Sequence, residues 1–279
     1  MQPGCRILVA DDSAQIRQLF RDAAARTSTP VTLLEAAEGT QCRELLHKVN
    51  PQLAFIDNYM PELSGIELVA EARKAGVSAF ITLMSARPDD ELFDLARQLK
   101  VYEFLVKPFR VADIHSIIKT YNHLAAPLRT LIVDDSRSTR QIIQKVLAGS
   151  IFRLMIELAP DGETATELCR SEFFDVVFLD CNMPGLDGLG TLVRLKEYNP
   201  SIKVVMMSSE RHPVHERSAQ QFGAAAFLHK PFSVTQVEGV LHHLYGLPVP
   251  KLSLAEDQRL APAHLFGSDP VRARLDRPY

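Results

Sequence analysis

RILVADDSAQIRQ, at residues 6–18, is a short apolar run that ends in two adjacent acids and leads into a stretch with helical spacing. The pattern returns 123 residues later as RTLIVDDSRSTRQ, at residues 129–141. Two further motifs recur at the same displacement: FIDNYMPELSG (55–65) as FLDCNMPGLDG (178–188), and FLVKPF (104–109) as FLHKPF (227–232). Because three separate motifs share one displacement, the chain is predicted to contain two copies of one fold.

The repeat divides the chain into two copies and a tail. The first copy is predicted to span residues 5–124 and the second residues 128–246, which leaves residues 247–279 as a C-terminal tail with no output domain. Pro127 lies at the junction, where it ends the preceding helix because proline cannot continue one. The tail contains prolines and both signs of charge, so it is a partner-binding segment, a docked extension or a disordered segment.

Short apolar runs alternate with amphipathic stretches of helical length in each copy. In the first copy, the runs predicted to be strands lie at residues 7–10, 31–34, 53–56, 80–84 and 104–106. Residues 14–26 and 66–74 carry apolar side chains three and four positions apart, which predicts helices. Ser13 and Ser136 follow the first strand of each copy at helix N-cap positions. The alternation predicts an α/β fold in each copy, with a five-stranded parallel sheet covered on both faces.

Composition excludes several classes of protein. The chain has 279 residues, 46% of them hydrophobic and 23% charged, which is typical of a folded globular protein. A net charge of -3 argues against nucleic acid as a partner, and no apolar run reaches the ~18 residues needed to cross a membrane. The four cysteines are scattered and the N-terminus lacks signal-peptide features, so a reduced, cytoplasmic protein is expected.

Polar side chains follow the predicted strands at the edge where parallel α/β sheets bind ligands. In the first copy these residues are Asp11, Asp12, Asp57, Ser85 and Lys107. In the second copy they are Asp134, Asp135, Asp180, Ser208 and Lys230. Three carboxylates, one hydroxyl and one ammonium group are therefore expected at one rim of each sheet.

This set of side chains suits phosphoryl chemistry. Neighbouring carboxylates repel one another unless a cation lies among them, and an all-oxygen site with few protein ligands suits Mg²⁺. A lysine adds positive charge for phosphate oxygens, and a hydroxyl adds a hydrogen-bond donor. One carboxylate can then act as a nucleophile and form an aspartyl phosphate.

Each copy resembles the receiver domain of bacterial two-component response regulators. The matching features are the acidic pair, the aspartate followed by Met-Pro and Gly, the serine, and the Lys-Pro-Phe motif, all in order and in both copies. The resemblance implies two tandem doubly wound (βα)5 domains of the flavodoxin-like type.

The resemblance also implies a role for each matching residue. Asp57 and Asp180 would be the phosphoacceptors. The Mg²⁺ ligands and their supporting groups would be Asp11, Asp12, Asp57 and Tyr59 in the first copy and Asp134, Asp135, Asp180 and Asn182 in the second. Phosphoryl contacts would come from Lys107, Lys230, Ser85 and Ser208. Phe104 and Phe227 match the aromatic position that turns inward when the serine moves, and both also suit a plain core role. The Lys-Pro bonds would be cis.

The two copies differ beside the phosphoacceptor. Two positions after it stand Tyr59 in the first copy and Asn182 in the second, and two positions after the serine stand Arg87 and Glu210. In the family, these two positions influence how fast water removes the phosphoryl group. We therefore expect the first copy to keep its phosphoryl group longer than the second.

The resemblance implies a protein that is not an enzyme apart from its own phosphoryl transfer and autodephosphorylation. Its partners would be a histidine kinase or a histidine phosphotransfer protein, together with a downstream protein that the sequence does not identify. Homodimer formation stays open. Three alternatives remain: a phosphorylation-independent scaffold, a phosphate sink, and a Mg²⁺-dependent phosphatase with an aspartyl-phosphate intermediate. Away from the site, Cys181 is expected to be buried, and His212, His215, His242 and His243 are expected to lie at the surface rather than to bind a metal.

Overall fold

A computed structural model of the chain describes residues 5–27, 30–210, 213–250, 252 and 264–265. The chain divides into two compact units, one within Met1–His123 and Pro250–Ala255 and the other within Leu124–Val249 and Glu256–Tyr279. Both units alternate strands with helices, and each contains five parallel strands. The prediction of two α/β units with parallel sheets is confirmed.

The first unit has ten elements in strict alternation. They are β1 (Cys5–Ala10), α1 (Ala14–Ala24), β2 (Val31–Ala36), α2 (Gly39–Lys48), β3 (Leu53–Asp57), α3 (Gly65–Lys74), β4 (Phe80–Ser85), α4 (Asp90–Gln98), β5 (Glu103–Val106) and α5 (Val111–Ala125). The sheet order is β2-β1-β3-β4-β5. The order reverses between β1 and β3, the point at which doubly wound sheets bind ligands.

The second unit repeats this order and adds one strand. Its elements are β6 (Leu128–Val133), α6 (Arg137–Ala148), β7 (Leu154–Ala159), α7 (Gly162–Ser171), β8 (Val176–Asp180), α8 (Gly188–Tyr198), β9 (Lys203–Ser208), α9 (Pro213–Gln221), β10 (Ala226–His229), α10 (Val234–Leu244) and β11 (His264–Leu265). The sheet order is β11-β10-β9-β8-β6-β7.

The added strand is antiparallel and comes from the tail. β11 pairs with β10 through Ala226↔Leu265 and Phe227↔His264. An edge strand exposes unpaired backbone groups, and any extended segment that reaches it can satisfy them. Two residues of strand carry no periodic pattern, so sequence reasoning did not predict this strand.

The sheet of the first unit is buried on both faces. Ile7 and Val9 of β1 belong to one apolar cluster with residues of α1 and α5, whereas Leu8 and Ala10 belong to another with residues of α2, α3 and α4. All five residues of β3 are buried. This alternation explains why the strands form unbroken apolar runs in the sequence.

The helix ends agree with their sequence signals. Ser13 accepts a hydrogen bond from the Ile16 amide, and Ser136 accepts one from the Thr139 amide, so both predicted N-caps are confirmed. Helix α5 ends two residues before Pro127. None of the helices in the described part of the chain is both long and apolar enough to span a bilayer.

Candidate functional site

The predicted site residues of the first unit lie at one edge of its sheet. Asp11 and Asp12 follow β1, Asp57 ends β3, Ser85 ends β4, and Lys107 follows β5. These four strands are neighbours in the sheet and run parallel, so their carboxyl ends meet. The structure therefore brings together residues that are as much as 96 positions apart in the sequence.

Lys107 joins the acidic residues of the first unit. Its Nζ lies 2.8 Å from Asp11 Oδ2 and 3.0 Å from Asp57 Oδ2. Asp11 is fully buried and Asp57 is 3% exposed, so water screens neither contact well. The Lys107 ammonium group is therefore close to the place that the oxygens of a phosphoryl group on Asp57 would occupy.

The carboxylates of Asp11, Asp12 and Asp57 fit a divalent cation. One oxygen from each lies within 4.8 Å of the other two. The Ser13 amide donates to Asp11 Oδ1, which orients the second oxygen of Asp11 toward Lys107. Asp12 is exposed, which leaves room for metal-bound water. An all-oxygen donor set of this kind suits Mg²⁺ better than a softer metal.

Burial sets the ionisation of the phosphoacceptor candidate. It raises the pKa of Asp57, although the Lys107 ammonium and the amide of Tyr59 work in the opposite direction. Burial also disfavours the charged form of Lys107, but hydrogen bonds from its ammonium to Asp11 and Asp57 outweigh burial and raise its pKa. The site is therefore an acidic cluster that one lysine compensates only in part.

This imbalance predicts how stability depends on pH. Because the pKa of Asp57 is raised in the folded state, the folded state binds a proton more tightly than the unfolded chain does. The free energy of unfolding therefore falls as the pH rises from the usual pKa of an aspartate through the raised pKa of Asp57. We expect Asp57→Asn to make the Mg²⁺-free first unit more stable than the parent at neutral pH, with a smaller difference in acid. Urea denaturation at several pH values measures this difference.

The exposed carboxylate of Asp22 offers a matched control. Asp22→Asn is expected to change the free energy of unfolding by no more than about 0.5 kcal/mol. Addition of Mg²⁺ should stabilise the parent and have less effect on Asp57→Asn, since a ligand stabilises only the state that binds it. An Asp57→Asn protein that is less stable than the parent at every pH would contradict this account.

The second unit repeats the lysine link. Lys230 Nζ lies 2.5 Å from Asp134 Oδ2 and 2.6 Å from Asp180 Oδ1. Burial raises the pKa of Asp180, and Lys230 opposes that shift. The Asn182 amide donates to Asp180 Oδ2 at 3.3 Å. Asp135 is exposed beside a groove, and the three acids of this unit, all within the described residues, do not gather within the 4.8 Å seen in the first.

The serines and the Lys-Pro bonds lie at equivalent places in the two units. Ser85 and Ser208 are fully buried at the ends of β4 and β9. Their hydroxyl oxygens accept from the amides of Arg87, at 3.3 Å, and Glu210, at 3.0 Å. Both Lys-Pro peptide bonds, before Pro108 and Pro231, are cis, as the resemblance implied.

The two candidate switch aromatics are core residues in this structure. Phe104 is 2% exposed and Phe227 is fully buried. The Phe104 ring contacts the Phe93 ring of α4, with centroids 4.7 Å apart. Burial of both rings agrees with a core role and with the inward position of a switch.

Sequence reasoning missed an arginine that positions the acidic loop. Arg17 Nη1 donates to the backbone oxygen of Asp11 at 2.6 Å and to that of Asp12 at 3.1 Å. In the second unit, Arg140 hydrogen-bonds to the backbone oxygen of Asp134. The repeat itself could have indicated them, because the two arginines occupy equivalent positions of the first repeated motif, one helical turn into α1 and α6.

Two other expectations have definite outcomes. Cys181 is buried, as predicted, and burial raises the pKa of its thiol to about 12, so it is not a reactive thiolate at neutral pH. Of the four histidines predicted at the surface, His243 is exposed, His215 is half-buried, and His212 lies outside the described residues. The prediction for His242 was wrong: it is 1% exposed, its Nδ1 lies 2.7 Å from the Glu238 backbone oxygen, and its ring packs edgewise on Phe152. His242 is buried because it lies on the face of α10 that packs into the unit. The adjacent pair of histidines gave no indication of which one would be buried.

Fold and site together define a class of protein: tandem doubly wound α/β domains with acids and one lysine at the carboxyl edge of each sheet. A family model described as "Response regulator receiver domain" matches residues 7–119 and residues 130–242. The chain therefore belongs to the response regulator receiver family and carries two receiver domains in tandem.

Known proteins agree with this assignment. Response regulator MprA of Mycolicibacterium vanbaalenii is 32% identical over 152 residues, which cover 54% of this chain and 64% of that protein. A protein-glutamate methylesterase/protein-glutamine glutaminase of Trichodesmium erythraeum is 30% identical over 128 residues, or 45% of this chain and 36% of that protein. The chain thus spans between about a third and two thirds of the length of these relatives.

Solved structures also resemble the fold over most of the chain. A probable two-component system response regulator/GGDEF domain protein aligns with a TM-score of 0.60 and 20% identity, over 87% of this chain and 98% of that one. At this identity the likeness concerns the fold alone.

Proposed function

We propose that each receiver domain accepts a phosphoryl group, on Asp57 in the first and on Asp180 in the second. The domains are taken as residues 5–124 and 128–246. The donor is the phosphohistidine of a histidine kinase or of a histidine phosphotransfer protein, and Mg²⁺ is required. The protein works in the cytoplasm, catalyses only its own phosphoryl transfer and autodephosphorylation, and signals through contact with a downstream protein.

The observation that carries this proposal is the lysine link present in both units. Lys107 lies between Asp11 and Asp57, and Lys230 lies between Asp134 and Asp180. A structural ion pair needs only one acid for each lysine. A lysine shared by two buried carboxylates, one of them at the end of the central strand, instead suits a site that gains the negative charge of a phosphoryl group.

Chain residues account for the transfer. A carboxylate oxygen of Asp57 forms a bond to phosphorus while the bond between phosphorus and the donor's imidazole nitrogen breaks, and that nitrogen keeps the electron pair. Lys107 shifts its hydrogen bonds from carboxylates to phosphoryl oxygens, and the Ser85 hydroxyl donates another. Asp11, Asp12 and the backbone of Tyr59 would hold Mg²⁺, which when bound neutralises charge on the phosphoryl oxygens.

The second unit supplies the same groups. Asp134, Asp135 and the backbone of Asn182 would hold the metal, Lys230 and Ser208 would contact the phosphoryl group, and Asp180 would accept it. Among the described residues, the acids of this unit are less closely gathered than those of the first, so Asp134, Asp135 and Asp180 would have to move closer together to hold the metal.

Counting phosphoryl groups tests the proposal. Incubation with acetyl phosphate and Mg²⁺ should add two phosphoryl groups to the chain, as read by intact-protein mass spectrometry, and none when Mg²⁺ is chelated. A chain that takes up none would be a phosphorylation-independent scaffold. Continuous hydrolysis of a small phosphate ester would identify a phosphatase, and uptake with no effect on any partner would identify a phosphate sink.

The two units should lose phosphate at different rates. Tyr59 follows Asp57 by two positions and its amide contacts the Asp57 carboxylate, so its side chain starts close to the site of the phosphoryl group. The smaller Asn182 replaces it in the second unit. We expect the first unit to retain phosphate about tenfold longer, which corresponds to a barrier difference of about 1.4 kcal/mol.

Replacing these side chains with those of the second unit tests whether they cause the difference in the rate of phosphate loss. Tyr59 is 62% exposed in this structure, so its ring can shield the phosphoryl group only by turning toward it. Tyr59→Asn combined with Arg87→Glu should therefore accelerate phosphate loss from Asp57 toward the rate of the second unit. The rates are measured by mass spectrometry after donor removal, one acceptor at a time, and faster loss from the first unit would refute the expectation.

A further inference from the structure

The exposed face of α4 in the first unit carries a small groove. It is lined by Asp90, Phe93, Asp94 and Arg97. Arg97 Nη1 pairs with Asp94 at 2.5 Å, which orients the guanidinium group along the helix. Phe93, under the groove, contacts Phe104 of β5. The groove thus lies one side chain away from the candidate switch aromatic.

A leucine from the tail docks on this face. Leu252 is 5% exposed and belongs to the same apolar cluster as Leu92, Ala96 and Phe104. Arg97 Nε donates to the Leu252 backbone oxygen at 2.9 Å, a contact between residues 155 positions apart in the chain. Pro250 is buried as well. A buried side chain together with a hydrogen bond to its backbone oxygen is how a peptide-binding surface holds a segment of chain.

The second unit lacks these groups at the equivalent positions. At the displacement of the repeat, Phe93 corresponds to Glu216 and Arg97 to Gln220. Glu216 instead contacts His229 of β10, with its Oε1 3.0 Å from Nε2. The Arg97 guanidinium group that holds the Leu252 backbone, and the Phe93 ring that packs against the same apolar cluster, are therefore a property of the first copy and not of the fold.

We propose that the α4 face of the first unit is a docking surface for the chain's own segment around Leu252, and that docking and phosphorylation of Asp57 favour each other. The second part rests on the proposed function of Asp57. Leu252 docks while Phe104 is buried, and the two side chains share one closely packed cluster. Because both side chains belong to this cluster, a Phe104 ring that leaves it would disturb the packing of Leu252, so docking is expected to favour the inward ring.

The coupling has a direct structural route. Phe104 of β5 pairs with Leu83 of β4, and Leu83 lies two residues before Ser85 on the same strand. A serine that moves toward the phosphoryl group and an aromatic ring that turns inward are the two changes implied for activation. If docking favours the inward ring, it favours the phosphorylated state, and thermodynamic linkage requires phosphorylation to tighten docking by the same factor.

The test uses the full chain with Asp180→Asn, so that only Asp57 reports. Leu252→Ala removes the docked side chain, and Arg97→Gln installs the residue that the second copy carries. Leu265→Ala is the matched control, because Leu265 is a tail leucine that is 44% exposed on β11 of the second unit. Hydrogen exchange of peptides from α4 reports docking, and mass spectrometry reports the phosphorylated fraction after incubation with acetyl phosphate and Mg²⁺.

We expect Leu252→Ala and Arg97→Gln each to speed exchange in α4 and to lower the equilibrium constant for phosphorylation of Asp57 by about fivefold or more, whereas Leu265→Ala changes neither. Phosphorylation of the parent should slow exchange in α4. Equal phosphorylation in the parent and Leu252→Ala would overturn the coupling. Protection of α4 that survives Leu252→Ala and rises with protein concentration would overturn the docking, since a second copy would then cover the face.

A failure of the proposed function looks different. In that case the parent itself takes up no phosphoryl group at Asp57, while the difference in α4 exchange between the parent and Leu252→Ala remains. The docking of Leu252 can therefore be supported or refuted without any phosphorylation signal.

Discussion

Asp57→Asn should lower the number of phosphoryl groups that the chain takes up from two to one, and Asp180→Asn should do the same. The double variant should take up none. An amide of nearly the same volume keeps the packing at the end of the strand but cannot act as the nucleophile, so the loss in rate at each site should exceed about a thousandfold. Intact-protein mass spectrometry after incubation with acetyl phosphate and Mg²⁺ measures the count.

The single variants also show whether the two sites act independently. Asp22→Asn, at an exposed acid of α1, is the control and should still take up two groups. Additivity of the two single variants would mean that neither acceptor feeds the other. Uptake of a phosphoryl group by the double variant would place the acceptor elsewhere and would refute the assignment of both aspartates.

Gly65→Ala and Gly188→Ala should each destabilise one unit strongly. A Cβ at Gly65 would lie 2.4 Å from the Asp57 backbone oxygen, and a Cβ at Gly188 would lie 2.1 Å from the Asp180 backbone oxygen. Backbone atoms cannot yield as a flexible side chain does, so the helix must move away from the strand that ends in Asp57 or Asp180. We expect a loss of about 3 kcal/mol or more in the altered unit, together with reduced phosphoryl uptake at its aspartate.

Gly239→Ala provides the matched control. Gly239 lies within α10, and a Cβ there would meet no atom within 4 Å. Alanine is the better helix former, so this change should stabilise the second unit by about 1 kcal/mol. Urea denaturation followed by hydrogen exchange of peptides from each unit separates the two effects, since two units need not unfold as one two-state system. A stable Gly65→Ala protein with normal phosphoryl uptake would contradict the steric argument.

The repeated motifs predicted most of the fold and of the site. Three motifs at one displacement predicted two copies, and apolar runs that end in polar residues predicted parallel strands with a site at their carboxyl ends. Asp57 and Lys107 could be paired from the sequence because strand ends in a parallel sheet meet whatever the loops between them do. His242 could not be placed, because burial depends on which face of α10 packs against the sheet.

The two α/β copies, the acids and the lysine at each sheet edge, and the serine caps of α1 and α6 could be predicted without coordinates, because strand and helix periodicity and capping depend on residues close together in the chain. Three features required the three-dimensional coordinates: the contacts of Lys107 with both Asp11 and Asp57, the lack of room for a side chain at Gly65, and the docking of Leu252 on α4. These features depend on distances between atoms far apart in the chain, and no local pattern encodes such distances.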